Sequence, residues 1–301
     1  MQRRGLLPAP LELPTSEAMA DVESLDSNQK APLKRKRPNV KGNYGDYPAD
    51  CHKTLNSNER SYFKPCLHTG PCNSECPCVK DKVMCEKTCM CDADCPRKWR
   101  GCKCIASGKA CSINTACPCA RWNRECDPDL CSGCDAAETL SPTNRYNLEL
   151  AKDCCQNVVI QRDIPKRTLL GVSGVSGLGL FIGENVKKDG FLGEYKGEII
   201  SNDEAERRGK LYDRRGVSFL FTLNKSAYDP THPICATRLI SQFDKAQVID
   251  ATRAGNKFRF VNHYKKPNCF ARVLFTNCTH RIGMFAKRDL VAGEELYFDY
   301  G

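Results

Sequence analysis

The sequence predicts a mostly β fold of small sheets, preceded by a loop-rich, cysteine-dense domain and a disordered N-terminal arm. Three observations lead there. Residues 1 to about 60 are polar, rich in Pro, Asn, Asp and Ser, with little hydrophobic periodicity. Sixteen of the 22 cysteines fall between Cys66 and Cys134, a stretch with few aliphatic residues. Beyond Val158 the texture changes to short apolar runs separated by Gly, Asn, Asp or Pro, the punctuation of a compact β fold. The expected boundaries are 1–60 for the arm, 61–155 for the cysteine-rich domain and 156–301 for the β-rich domain.

The arm carries the basic run Lys34 to Arg37 ahead of Pro38, a short pattern of nuclear-import type. Formal net charge is +10, which suits an acidic partner such as nucleic acid or chromatin; a solvated basic surface accounts for it equally well. No apolar run reaches the length of a membrane-spanning helix, and the N-terminus lacks the unbroken apolar core of a signal peptide. The expectation is an intracellular chain with reduced thiols and no membrane partner. In that setting dense cysteines favour metal over disulfides.

The cysteine block divides into two sets. The first holds Cys66, His68, Cys72, Cys76, Cys78, Cys85, Cys89, Cys91 and Cys95, nine donors in all. The second holds Cys102, Cys104, Cys111, Cys117, Cys119, Cys126, Cys131 and Cys134, eight donors, with the Cys154–Cys155 pair able to supply a ninth. Zinc prefers four thiolate or imidazole ligands in a tetrahedron, so three zincs need about twelve metal–ligand bonds. Six terminal and three bridging donors make twelve bonds from nine side chains. CxC pairs suit bridging, and Cys78 is expected to be shared between two metals. Two trinuclear clusters, about six zincs, follow from this arithmetic; separate four-ligand sites and disulfides are the alternatives. With so few aliphatics, this block depends on metal in place of a core.

The run PCLHTGPCNSECPC from Pro65, CEKTCMC from Cys85 and RECDPDLCSGC from Arg124 resembles the CXC domain of enhancer-of-zeste proteins. Those are catalytic subunits of Polycomb repressive complex 2, with two such zinc clusters directly before a SET methyltransferase domain. The resemblance implies that the ninth ligand of the second cluster is Cys155. A tesmin-type CXC protein, which binds DNA, also uses CxC repeats but has no SET domain behind them.

The β-rich half resembles a SET domain along nearly its whole length. Its strand-like runs are TLLGVS from Thr168, LGLFIGENV from Leu178, FLGEYKGEII from Phe191, SFLFTL from Ser218, QVIDAT from Gln247, KFRFVNH from Lys257, ARVLFT from Ala271 and RIGMFA from Arg281. TNCTHR reads as a hairpin connection. One helix stands out from Ser201, with Glu204 completing a capping box. Gly177-Leu178-Gly179 matches the family's cofactor turn, where backbone must approach the methionine and ribose closely. NHYKKPNC from Asn262 matches the motif whose Asn-His pair, here Asn262 and His263, contacts S-adenosylmethionine near a pseudoknot. GEELYFDY from Gly293 follows at the family's spacing.

Methyl transfer to a lysine needs the neutral amine, although its ordinary pKa is about 10.4. An apolar channel disfavours the ammonium form and aligns the nitrogen with the methyl group. By resemblance, Tyr195, Phe219, Phe221, Phe298 and Tyr300 match that channel, with Tyr300 the catalytic tyrosine; ordinary core packing is the alternative for Phe221. The resemblance implies a histone H3 lysine-27 methyltransferase of the nucleus, acting with nucleosomes and other Polycomb repressive complex 2 subunits, with DNA contact through the basic surface. A catalytically weak CXC-SET scaffold on chromatin is the alternative.

Several positions depart from the family. Tyr264 stands where Ser is usual, Val261 where Ala is usual, and Arg215 where animal members have Tyr. They put the adenosine contacts and the number of methyl groups added in question. The stretch from about Lys225 to Ala246 lengthens the insert that helps form the substrate groove. The family also continues past the position of Gly301 into a tail over the cofactor, and carries a regulatory region ahead of the CXC domain.

Overall fold

The computed structural model describes residues 47–48, 50–51, 63–104, 110–112, 117–223 and 247–300. The basic run at 34–37 and the stretch 225–246 lie outside the described residues. No described helix is long and apolar enough to cross a membrane.

Among the described residues, the β-rich half holds ten short strands. β1 (Thr168–Val172) pairs antiparallel with β2 (Leu178–Ile182). β3 (Phe191–Tyr195), β8 (Cys269–Thr276) and β9 (Thr279–Ala286) form a sheet ordered β3-β9-β8. A second sheet orders β4 (Glu198–Ser201), β6 (Gln247–Asp250) and β5 (Leu220–Thr222) as β4-β6-β5. β7 (Asn262–His263) and β10 (Tyr297–Phe298) run parallel. The core between these pieces buries Leu180, Ile182, Leu192, Ile249, Phe258, Ile282, Met284 and Leu296.

Local chemistry explains the joints. In the β8–β9 hairpin, Asn277 and Cys278 both take positive φ, 48° and 63°, the conformation that matches strand twist in a two-residue turn. Ser201 caps the helix Asn202–Arg215 by accepting from the Glu204 amide at 3.3 Å. The reciprocal half of the capping box does not form. The Glu204 carboxylate instead accepts from Arg207 and Arg208, at 2.7 and 2.6 Å, because charged donors one turn along compete for it. KFRFVNH is not a continuous strand: Lys257–Phe260 is a 3-10 turn that drops the Phe258 ring onto Gly193, where even a Cβ would sit 2.2 Å from it.

Asp250 ties the long helix to its sheet. Fully buried, it accepts from Arg208 (2.8 Å), the Tyr212 hydroxyl (2.8 Å) and the Thr252 amide (2.9 Å). Asp250→Ala removes the acceptor shared by Arg208, the Tyr212 hydroxyl and the Thr252 amide, although Arg208 keeps Glu204 and Glu198. The buried Tyr212 hydroxyl is left unpaired, and urea denaturation is expected to show a loss of about 2 kcal/mol; a loss below about 0.5 kcal/mol would put the helix's anchorage elsewhere.

The cysteine-rich half docks on β8. The Glu125 amide donates to the Phe275 carbonyl (3.1 Å) and the Phe275 amide to the Asn123 carbonyl (2.8 Å). The Arg124 guanidinium lies 4.6 Å from the centroids of both Trp99 and Phe275 and pairs with buried Glu86. Residues 47–48 and 50–51, within the polar arm, lie against this half. The Tyr47 ring stacks on Trp99 at 5.4 Å, and Asp50 pairs with Arg97 at 2.7 Å.

Candidate active site and metal centres

The two glycines of the Gly177-Leu178-Gly179 turn are required for different reasons. Gly177 has φ +53°, a left-handed conformation with open space where a side chain would lie. A Cβ at Gly179 would sit 2.2 Å from the Glu295 carboxylate. That close approach lets the Asn262 side-chain amide gather the whole corner. Its Nδ2 donates to the carbonyls of Ser176 (3.2 Å) and Leu178 (3.1 Å) and to Glu295 Oε1 (3.3 Å). Glu295 also accepts from the Tyr297 hydroxyl at 2.6 Å, and burial and this carboxylate together push the Tyr297 phenol up to about 12.

The parallel β7–β10 ladder sets Asn262 beside Tyr297 and His263 beside Phe298. Asn268 fastens it, donating to the Glu295 carbonyl and accepting from the Tyr297 amide, both at 2.8 Å. The Tyr300 amide donates to His263 Nδ1 at 3.1 Å, so the neutral ring carries its proton on Nε2. From His263 a continuous run of rings leads inward: His263–Tyr300 at 5.4 Å, Tyr300–Phe298 at 4.6 Å, Phe298–Phe221 at 5.8 Å and Phe221–Tyr195 at 5.4 Å.

Both tyrosine hydroxyls in this run donate to backbone. Tyr300 donates to the Val261 carbonyl at 2.8 Å and Tyr195 to the Phe219 carbonyl at 3.2 Å. Their lone pairs remain to accept a hydrogen bond. Burial pushes both phenols above their ordinary value, so they stay protonated at neutral pH. Phe219 joins through its carbonyl; its ring lies against Phe260 (5.7 Å) and under Arg259 (5.6 Å). Phe221, open to two readings from sequence, sits in the ring series. Val261 is buried with its carbonyl on Tyr300, Tyr264 is 46% exposed beside the Tyr297 ring at 5.2 Å, and Arg215 is exposed at the helix end. Sequence reading assigned no role to Glu295 and Asn268, although both lie inside the quoted motifs.

In the cysteine-rich half, overlapping four-donor groups have ligand atoms mutually within 4.8 Å: Cys66-Cys78-Cys85-Cys89, Cys66-His68-Cys72-Cys76 and Cys66-Cys72-Cys85-Cys91. Cys95 Sγ lies 3.5 Å from Cys72 Sγ, which is 3.6 Å from Cys85 Sγ. Zinc–sulfur bonds of about 2.3 Å in a tetrahedron set sulfurs roughly 3.8 Å apart. The spacing fits zinc and is far too long for disulfides. In the second set Cys102 and Cys126 belong to both Cys102-Cys111-Cys117-Cys126 and Cys102-Cys119-Cys126-Cys131. Cys134 and Cys155 are fully buried in the same cluster, and Cys104 is half-buried at its edge.

Cys66, Cys72 and Cys85 recur among the three groups of the first set, whereas Cys78, expected to be shared, falls in one of them. Cys76 caps the short helix Pro77–Lys80 and falls with His68 and Cys72, whereas Cys78 lies within that helix and falls with Cys85 and Cys89. Two residues apart, the pair diverges into different four-donor groups. Outside these groups, buried Cys51 donates to the Val83 carbonyl at 3.8 Å, and burial pushes its thiol up to about 11.

A paired Asn-His strand, a glycine turn and a tyrosine-lined run of rings behind a multinuclear cysteine domain define a SET-domain protein with a CXC domain ahead of it. The SET domain family model matches residues 177–301 and the CXC domain model residues 101–136. The chain is 38% identical over 259 residues to "Histone-lysine N-methyltransferase MEDEA" of Arabidopsis thaliana, spanning 85% of this chain and 34% of that protein. It is 40% identical over 243 residues to "Histone-lysine N-methyltransferase CLF" of the same plant, spanning 79% of this chain and 24% of that protein. The structure titled "ctPRC2 in an autoinhibited conformation bound to S-adenosylmethionine" matches with TM-score 0.69 at 35% identity, covering 97% of this chain and 35% of that one. Chaetomium thermophilum Polycomb Repressive Complex 2 bound to GSK126 matches with TM-score 0.69 at 35% identity, over 92% of this chain and 35% of that one. The chain carries a CXC domain and a SET domain and is similar to these histone-lysine methyltransferases, of whose length it spans about a third or less.

Proposed function

We propose that this protein is an S-adenosylmethionine-dependent lysine methyltransferase of the nucleus. Its proposed substrate is lysine 27 of the histone H3 tail on nucleosomes, within an assembly of Polycomb repressive complex 2 type. The observation that carries the reading is the β7–β10 ladder. It joins the Asn262-His263 corner to Tyr300 and through Tyr300 to the buried rings.

In this reading the Gly177–Gly179 turn, Asn262 and His263 hold the cofactor, which supplies a methyl group on a sulfonium. Tyr195, Phe221, Phe298 and Tyr300 wall the lysine channel, and Phe219 supports it through its carbonyl. Low polarity disfavours the ammonium, so the amine releases its proton to solvent water before transfer. Each tyrosine hydroxyl has its own proton committed to a carbonyl, so it accepts an N–H of the amine and turns the nitrogen lone pair toward the methyl. The nitrogen–carbon bond forms as the sulfur–carbon bond breaks. The phenols, held neutral, act by orientation and not as bases. Zinc would be structural, held in the first cluster by Cys66, Cys72 and Cys85, the donors common to more than one group, together with His68, Cys76, Cys78, Cys89, Cys91 and Cys95. Cys102, Cys104, Cys111, Cys117, Cys119, Cys126, Cys131, Cys134 and Cys155 would hold the second cluster.

Asn262→Ala tests the cofactor corner. It removes three hydrogen bonds that shape the turn, and calorimetry is expected to show S-adenosylmethionine binding weakened about tenfold or more. Unchanged affinity in a folded variant would move the cofactor away from this corner.

A further inference from the structure

Arg259, half-buried in the 3-10 turn Lys257–Phe260, pairs with no carboxylate among the described residues. Its Nη1 donates to the Ala251 carbonyl at 3.0 Å, and its buried Nε has no hydrogen-bond partner. The guanidinium carbon lies 4.9 Å from the Phe260 ring centroid and 5.6 Å from that of Phe219. Ring faces are negative, so these contacts offset part of the cost of withdrawing an unpaired cation from water. Arg208, the other arginine near this sheet, is treated quite differently: it meets Asp250, Glu198 and Glu204.

The unmatched guanidinium sits on the support of the lysine channel. The Ala251 amide donates to the Phe219 carbonyl at 3.0 Å, the same carbonyl that takes the Tyr195 hydroxyl at 3.2 Å. Arg259 thus holds both members of this link, the Ala251 carbonyl through Nη1 and the Phe219 ring through its face. Its field reaches the Tyr195 hydroxyl: burial, Tyr300 and Asp250 push that phenol up, and the Arg259 charge pulls it back. The other ionisable groups nearby are matched or neutral. Asp250 on β6 is engaged by Arg208 and Tyr212, and Glu194 on β3 by Arg281. Lys257 in the same turn donates to the Thr168 carbonyl, His263 on β7 accepts from the Tyr300 amide, and Tyr195 and Tyr300 stay protonated.

We propose that Arg259 is a positioning residue of the methyl-transfer site whose unmatched charge, held beside Tyr195 through Phe219 and Ala251, opposes the ammonium form of the bound lysine. The inference rests on the methyltransferase reading above. Low polarity disfavours any ion in the channel, whereas a fixed cation disfavours the positive one in particular. An ammonium in the channel meets a like charge that no carboxylate cancels, and the repulsion is strongest where water is excluded. The proton leaves to solvent water, and the neutral amine that remains is the form able to attack the methyl group.

The test is single-turnover methylation of an H3 peptide across the neutral-to-alkaline range, at saturating S-adenosylmethionine. It uses the zinc-loaded full-length protein assembled with its partner subunits. Arg259→Gln keeps a donor for the Ala251 carbonyl but loses the charge. It is expected to be about tenfold slower at neutral pH and to recover as pH rises, its rising limb displaced upward by about one pH unit. The sign follows from the charge, because without the cation the bound ammonium keeps its proton to higher pH. A peptide carrying thialysine, whose amine is less basic, is expected to shrink the loss, which a misplaced Tyr195 hydroxyl would not do. A loss equal at every pH and for both peptides overturns the proposal, as does no loss at all. Arg259→Lys keeps a cation and is expected to retain the wild-type pH profile; it carries the test where Arg259→Gln melts early, and a displaced limb in this variant also overturns the proposal. No transfer by the wild-type assembly would overturn the methyltransferase reading and this inference with it.

Discussion

Tyr300→Phe is expected to lower the turnover of an active assembly by roughly a hundredfold or more while leaving cofactor affinity nearly unchanged. The substitution keeps the ring, its 4.6 Å contact with Phe298 and its edge contact with His263. It removes the hydroxyl that donates to the Val261 carbonyl. If that bond were merely structural, the cost would be about 1 kcal/mol of stability with no change in rate. The proposed role predicts a different split. Asn262, His263 and the glycine turn still bind cofactor, but nothing directs the amine lone pair from that side. Single-turnover methylation of an H3 peptide, beside calorimetry with S-adenosylmethionine, separates the two. Unchanged turnover would remove Tyr300 from the chemistry.

Cys66→Ser is expected to release more than one zinc from a protein holding about six, whereas Cys76→Ser releases no more than one. Cys66 belongs to three overlapping four-donor groups and Cys76 to one of those described. Since metal replaces an aliphatic core here, the Cys66 variant should also lose the fold of the first cluster, including the Phe63–Phe275 contact at 5.9 Å. Elemental analysis with a chromophoric chelator reads both results. About four zincs in the wild type, lost singly whichever cysteine is replaced, would replace the clusters with separate sites.

Much of this molecule is legible in its amino-acid sequence. Donor counting predicts two nine-donor sets, and the structure gathers cysteines of both into four-donor groups; short apolar runs mark most strands because each is bounded by a turn former. What spacing does not reveal is which thiolate is shared. Cys66, Cys72 and Cys85 recur among the four-donor groups because they converge from separate loops, whereas CxC proximity along the chain points to Cys78. KFRFVNH reads as a strand because its apolar residues alternate, yet the space against Gly193 favours a 3-10 turn at Phe258. Glu295 and Asn268 gain their roles only when β10 closes on β7, a contact between segments about 30 residues apart in the chain. The half-formed capping box shows the same limit: Ser201 and Glu204 announce the helix, and Arg208 then takes the Glu204 carboxylate.

The most direct measurement is transfer of labelled methyl from S-adenosylmethionine to an H3 peptide containing lysine 27, by the full-length protein assembled with its partner subunits. A second peptide carrying arginine at that position serves as the control. The account predicts label in the lysine peptide and none in the arginine peptide. No label in either peptide, with no cofactor bound by the same assembly, would contradict it and leave a CXC-SET chromatin scaffold.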